Sequence, residues 1–125
     1  MKELLNKLRP LCWDAADILM AYARNEQPPH GFSKSLNIKE YKSGPVSAAD
    51  LAVNTWLIEG LNTNFPYANW TVLSEETAKE NDHKDITHIK EWIWILDPLD
   101  GTKDFIQGTG EYAVHLALVK DCRPY

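Results

Sequence analysis

Glu91-Trp92-Ile93-Trp94-Ile95-Leu96 runs without a break into Asp97-Pro98-Leu99-Asp100-Gly101-Thr102-Lys103-Asp104-Phe105-Ile106. The first six residues are rich in β-branched and aromatic side chains, and they are continuous rather than alternating. That is the pattern of a strand buried on both faces. The residues that follow reverse the chain, with Pro98 and Gly101 as turn formers and Gly101-Thr102 placed to open a helix. Asp-Gly between apolar runs is first of all a hairpin signal. The next alternating run starts only at Glu111, however, too late for a tight turn. In that run Tyr112, Val114, Leu116 and Leu118 form one face, and Ala113, His115, Ala117 and Val119 the other.

Upstream, Leu4, Leu8, Leu11, Ala15, Ile18, Leu19 and Tyr22 recur at three- and four-residue steps, the stripe of an amphipathic helix. Pro10 lies inside it and predicts a kink or two pieces, since proline lacks the N–H and clashes with the preceding turn. Gln27-Pro28-Pro29-His30-Gly31 ends the helix, and residues 32–46 are polar with a turn at Ser43-Gly44-Pro45. A second helix starts at Ser47, where Ser47-Ala48-Ala49-Asp50 fits a capping box. Leu51, Leu57, Ile58 and Leu61 form its buried stripe, and Gly60 falls close to its end. After a turn around Pro66, Trp70-Thr71-Val72-Leu73 reads as a short buried strand that delivers Ser74-Glu75-Glu76 at its exit. Thr77 to Lys90 is charged and without period, an exposed loop or frayed helix. The order is helix, helix, strand, strand, strand in one folding unit, an α+β or layered α/β arrangement.

Composition narrows the function. The 125 residues carry a net charge of −5, 44% hydrophobic residues and 5 Trp, enough for one domain with a core. The longest apolar run, Trp92 to Leu96, is far short of the ~20 residues of a membrane-spanning helix. Lys2, Glu3, Lys7, Arg9 and Pro10 interrupt the leucines of the N-terminus, so no signal-peptide apolar region forms. An acidic balance with no basic run argues against a nucleic-acid polymer as partner. Cys12 and Cys122 lie far apart, with no CxxC, which argues against a disulfide framework or structural zinc and for a reducing compartment. The expectation is a soluble, cytoplasmic protein, with room for peripheral membrane association. The chain stops at Tyr125 directly after a strong strand pattern.

Three acidic clusters follow strand ends or helix starts: Asp50, Glu75 with Glu76, and Asp97 with Asp100. Carboxylates at the exits of two core strands can converge, and their repulsion is relieved by a cation between them. Hard oxygen ligands suit Mg²⁺ or Mn²⁺ rather than zinc. Carboxylates that hold cations beside amides that hold a phosphate are the parts of metal-assisted phosphoryl hydrolysis. Each piece also has a plainer reading. Asp50 serves as the capping-box acid, Glu75-Glu76 as solvated charge, His115 as a packed strand residue and Trp92/Trp94 as core. Lys39 and Lys42 could reach a phosphate, but surface lysines are the default. An EF-hand loop fails, because Asp97 and Asp100 are three apart and Gly101 is fifth rather than sixth. A haloacid-dehalogenase-type phosphatase separates its two acids by one residue, whereas Pro98-Leu99 puts two between them.

Trp94-Ile95-Leu96-Asp97-Pro98-Leu99-Asp100-Gly101-Thr102-Lys103-Asp104-Phe105 resembles the first signature of the inositol-monophosphatase-like, lithium-sensitive, Mg²⁺-dependent phosphatases. Ser74-Glu75-Glu76 and Pro45-Val46-Ser47-Ala48-Ala49-Asp50 are similar to the family's other two N-terminal motifs, in the right order. Lys103-Asp104-Phe105-Ile106 with Gly110-Glu111-Tyr112-Ala113-Val114 looks more like the 3′(2′),5′-bisphosphate nucleotidases than the inositol monophosphatases. The resemblance implies a layered α/β/α/β/α sandwich, of which this chain would be the N-terminal part. It implies two or three Mg²⁺ ions, with Mn²⁺ as a substitute and Li⁺ as inhibitor. Glu75, Asp97, Asp100 and the carbonyl of Leu99 would hold metal. Leu99, Asp100, Gly101 and Thr102 would surround the phosphate, with the amides of Gly101 and Thr102 on its oxygens. Asp50 and the Thr102 hydroxyl, assisted by Glu75, would orient and deprotonate the attacking water.

The implied substrate is adenosine 3′,5′-bisphosphate, a by-product of sulfate assimilation. An inositol monophosphatase and an inactive metal- or phosphate-binding fragment are the alternatives. Two departures stand out: Ser47 replaces the commoner Thr, and no acid lies near Gly44. The resemblance covers essentially all 125 residues but only about half of a typical member, which is roughly twice this length. The absent half brings a Trp-Asp motif that completes the second metal site. The expectation is therefore an N-terminal portion of a phosphatase, inactive or poorly folded alone because its last strand would expose an unpaired edge.

Overall fold

The apolar stripe of the first segment closes into a single helix, α1 (Lys2–Ala23), in the computed structural model, which describes residues 1–42, 44–80 and 91–125. Pro10 does not break it. Both Pro10 and Asn6, whose carbonyl loses its helical partner, lie on the exposed flank, so the freed acceptor is open to solvent. Leu11, Ala15, Ile18, Leu19 and Tyr22 form the buried face.

Residues 39–41 and 44–46, read from sequence only as part of a polar stretch with a turn, pair antiparallel as β1 (Lys39–Tyr41) and β2 (Gly44–Val46), a short hairpin. Three-residue strands are too short to show a period, and β1 is exposed throughout. The hairpin leads straight into α2 (Ala48–Asn64). Its N-cap is Ser47, and the capping box is complete: Ser47 Oγ accepts from the Asp50 amide, while Asp50 Oδ2 accepts from the Ser47 amide at 2.7 Å.

Gly60 lies four residues before the end of α2 and does not stop it. It allows close approach of the two helices, since a Cβ there would sit 2.1 Å from Leu11 Cδ1.

Four strands form the main sheet in the order β3 (Trp70–Ser74), β4 (Trp92–Asp100), β5 (Ala113–Lys120) and β6 (Arg123–Pro124). β3 and β4 are parallel, with Ser74 opposite Leu96; the other two pairings are antiparallel. Two further short helices lie among the described residues: α3 (Glu75–Glu80), which follows β3 directly, and α4 (Thr102–Gln107) between β4 and β5. Thr77–Glu80 thus belongs to a helix, while Ser43 and residues 81–90 of the expected loop lie outside the described residues.

Both long helices cover one face of the sheet. Val53, Leu57 and Leu61 of α2 join Trp94 and Leu96 of β4 in the core, with Val114, Leu116 and Leu118 of β5 beside them. Phe65, Trp70 and Trp94 make an edge-to-face series with centroid separations of 5.1 and 5.4 Å, tying the end of α2 to β3 and β4. On the face of β4 away from the helices, burial is uneven: Ile93 is buried, but its neighbour two residues on is not. Ile95 is 48% exposed and its cross-strand neighbour Leu73 38%, contrary to the reading of a strand covered on both faces. Trp92 is only half-buried, with Lys120 over its ring, and β3 is likewise half-buried. Among the described residues no helix is long and apolar enough to cross a membrane.

Gly60→Ala should lower stability in urea unfolding by about 1 kcal/mol, because over-packing against Leu11 outweighs the gain in helix propensity. In a Leu11→Ala background the same substitution should become neutral or stabilising, a non-additivity that a double-mutant cycle reads directly.

Candidate metal and phosphate site

The parallel pairing of β3 with β4 sets the site. With Ser74 opposite Leu96, the next residues of the two strands, Glu75 and Asp97, fall side by side. Ser74 is buried and its hydroxyl donates to Asn54 Oδ1, which anchors the strand exit to α2. The Glu75 and Asp97 carboxyls are hydrogen-bonded to each other. Two carboxyls this close cannot both ionise cheaply. Partial burial first, then the hydrogen bond and charge of Glu75, push Asp97 up to about 6; the Leu99 amide, donating to Asp97 Oδ1 at 3.2 Å, pulls it down.

A β-bulge follows. Asp97 pairs with His115 and Asp100 with Ala113, so three steps on β4 match two on β5. Acids three apart on a regular strand would face opposite sides; the extra residue brings both Asp97 and Asp100 to one cleft. Gly101 then takes φ 84°, and a Cβ there would meet the Glu111 carbonyl at 2.5 Å, so no other residue fits the turn. α4 starts immediately beyond it with Thr102.

Thr102 links this turn to α2. Its hydroxyl lies 2.9 Å from Asp50 Oδ1 and 3.1 Å from the Leu99 carbonyl, and its one proton serves either acceptor. Asp50 is fully buried; its other oxygen accepts from the Ser47 amide and, at 2.6 Å, from the Ser47 hydroxyl. The cap of α2 thereby fixes the carboxylate that faces Thr102.

The cleft has a volume of about 280 Å³. Gly44 and Pro45 of the hairpin form one wall; Glu75, Asp97, Leu99, Asp100, Gly101, Thr102, Lys103 and Asp104 line the rest. The structure thus brings Glu75, Asp97, Leu99, Asp100, Gly101 and Thr102 to one cleft, with Asp50 joined through Thr102. Among the described residues no three His, Cys, Asp or Glu side chains form a complete metal-ligand set. The donors present still fit a hard divalent cation. They are all oxygen, and the crowding of the Glu75 and Asp97 carboxyls, which helps push Asp97 up, is the kind of repulsion that a bound cation relieves.

Several residues of this region escaped the sequence reading. His115 is exposed rather than packed and lies directly opposite Asp97. Glu76, expected as solvated charge, is buried, whereas Glu75 is exposed to the cleft. Asn54 stands one turn after Asp50 on the stripe that continues to Leu57 and Leu61, and that polar pair on a buried stripe was a readable signal. Lys103 reads from sequence only within a sub-family motif, and Gly44 and Pro45 only as a turn and a motif start; all three line the cleft.

Comparison with known proteins gives a consistent picture. The family model described as "Inositol monophosphatase family" matches residues 1–125. The 3′(2′),5′-bisphosphate nucleotidase CysQ of Escherichia coli strain K12 is 34% identical over 123 residues, covering 97% of this chain and 45% of the relative. The chain therefore spans less than half the length of this curated relative. Among solved structures, the extragenic suppressor protein suhB of Bartonella henselae superposes with a TM-score of 0.69 at 21% identity, over 97% of this chain and 42% of that one. SaIMPase-II with bound 2′AMP gives 0.67 at 21% identity, over 100% and 39%. A LiCl-soaked inhibitory complex of staphylococcal inositol monophosphatase-1 gives 0.63 at 19% identity, over 98% and 40%. At these identities the likeness is one of fold.

The raised pKa of Asp97 has a stability consequence of definite sign. Between its ordinary value and about 6 the folded state binds the extra proton, so stability falls as pH rises through this window. With a chelator present, the melting temperature of the protein should drop between pH 4 and 7. Asp97→Asn should flatten that drop and melt higher than the parent at pH 7–8; an unchanged pH profile in the variant would refute the assignment.

Proposed function

The chain belongs to the inositol monophosphatase family, and on that footing we propose that residues 1–125 form the N-terminal portion of a single phosphatase domain. Its reaction is hydrolysis of the 3′-phosphate of a 3′,5′-bisphosphorylated nucleotide such as adenosine 3′,5′-bisphosphate. The observation that carries this reading is the joining, in one cleft, of the Glu75–Asp97 carboxyl pair to the Thr102–Asp50 hydrogen bond. The 34% identity to a bisphosphate nucleotidase supports the nucleotide as substrate. The two free cysteines, Cys12 and Cys122, support a cytoplasmic setting.

Glu75, Asp97, Asp100 and the Leu99 carbonyl would hold Mg²⁺, in two or three ions with Mn²⁺ as substitute and Li⁺ as inhibitor. Such ions supply positive charge that acidifies a water and neutralises phosphate oxygens. The chain's own groups do the rest. Asp50 Oδ1 accepts the Thr102 proton, so a lone pair of Thr102 Oγ1 is free to accept from the attacking water. A proton leaving that water is taken at Thr102 Oγ1 as the Thr102 proton shifts to Asp50. Asp50 is kept in place throughout by the two donors of Ser47. Gly101 and Thr102 present backbone N–H groups for the phosphate oxygens; the water attacks phosphorus in line as the bond to the ribose 3′ oxygen breaks, and that oxygen departs on the opposite side, taking a proton from solvent.

In the full-length protein with Mg²⁺, phosphate release from adenosine 3′,5′-bisphosphate should exceed release from inositol 1-phosphate. Asp97→Asn should reduce turnover to background. Thr102→Val should lower kcat by about 10²-fold or more with KM changed only a few-fold. Normal turnover in Asp97→Asn would refute the site, and a preference for inositol phosphate would replace the substrate.

A further inference from the structure

Lys103 is the one basic side chain lining the cleft among the described residues, against Glu75, Asp97, Asp100 and Asp104. Its ammonium is nevertheless not consumed by them: among the described residues it makes no ion pair. The nearest acid in sequence is otherwise engaged, since Asp104 Oδ1 accepts from the Thr109 hydroxyl at 3.0 Å. Lys103 is exposed and immediately follows Thr102, the residue that faces the reacting water in the reading above. An unneutralised cation thus stands at the rim of an acidic cleft, one residue from the chemistry.

We propose that Lys103 is a specificity-determining residue whose ammonium binds the second, non-reacting phosphate of a bisphosphorylated nucleotide. The inference rests on the nucleotide reading above and deepens it. A substrate with two phosphates brings the second into a cleft whose other fixed side-chain charges are negative. Without a cation that phosphate is repelled; with Lys103 it gains a charge-assisted hydrogen bond. A point charge on a flexible four-carbon stem suits a group held on a separate arm of the ribose, where rigid bidentate geometry is not required. Because the contact is made equally in ground state and transition state, it acts on KM more than on kcat.

The test is steady-state kinetics of the full-length protein with Mg²⁺ on adenosine 3′,5′-bisphosphate and adenosine 3′-monophosphate, which lacks only the second phosphate. Lys103→Ala should lose at least about tenfold in kcat/KM on the bisphosphate, mainly through KM. The loss should exceed that on the monophosphate at least fivefold, and Lys103→Arg should restore most of it. Equal losses on the two substrates would mean that Lys103 only offsets the nearby carboxylates, and no loss on either would mean that it is idle; both overturn the assignment. A wild-type protein inactive on both nucleotides would instead overturn the nucleotide reading, and this assignment with it.

Discussion

Glu75 and Asp97 stand at the exits of two adjacent parallel strands, close enough to share a hydrogen bond. Nothing in the fold's own interest favours that placement. Two carboxyls in a partly buried site repel when ionised, and the pair is tolerated only by holding a proton or by gaining a cation. The surrounding elements are arranged so that it persists. Pairing of β3 with β4 sets the register, Ser74 is tied to Asn54, and the Leu99 amide turns back to Asp97. The bulge between Asp97 and Asp100 then adds a third carboxylate to the same cleft.

Helix α2 is the reference against which both strand exits are aligned. Its buried stripe begins with Asp50 and Asn54 and continues as Leu57 and Leu61. The apolar half seats the helix on Trp94 and Leu96. The polar half, one turn apart, bonds to Thr102 at the start of α4 and to Ser74 at the end of β3. Packing and site geometry are thus one arrangement, and the capping box of Ser47 and Asp50 belongs to both. A disturbance of helix packing at Gly60 would reach the cleft through the same helix.

The parts legible in the sequence were those with a long period or a costly local feature. Seven apolar positions spaced at helical steps define α1, and Tyr112 to Leu118 alternate as β5 does. Ser47 to Asp50 is a capping signal because only such residues satisfy a helix start at both ends. Asp97 to Thr102 stood out because two acids, a proline and a glycine within six residues serve no plain strand. What escaped is equally physical. The hairpin of residues 39–46 is too short for any period. The continuous hydrophobicity of Trp92 to Leu96 reads as two buried faces, yet Ile95 is exposed among the described residues. His115 alternates onto the face of Asp97, and alternation alone does not tell which face is covered. Lys103 is legible only as part of a motif, and its place in the cleft comes from the turn at Gly101.

Everything in the proposed chemistry depends on the Glu75–Asp97 pair being a cation site that holds a proton when no cation is bound. Calorimetric titration of the metal-free protein with Mg²⁺, repeated in buffers of different ionisation heat, counts the protons released on binding. Release should approach one proton near pH 5, as the ion displaces the proton of the pair, and decline to none above pH 8. Binding with no proton release at pH 5, or no Mg²⁺ binding at pH 8, would contradict it.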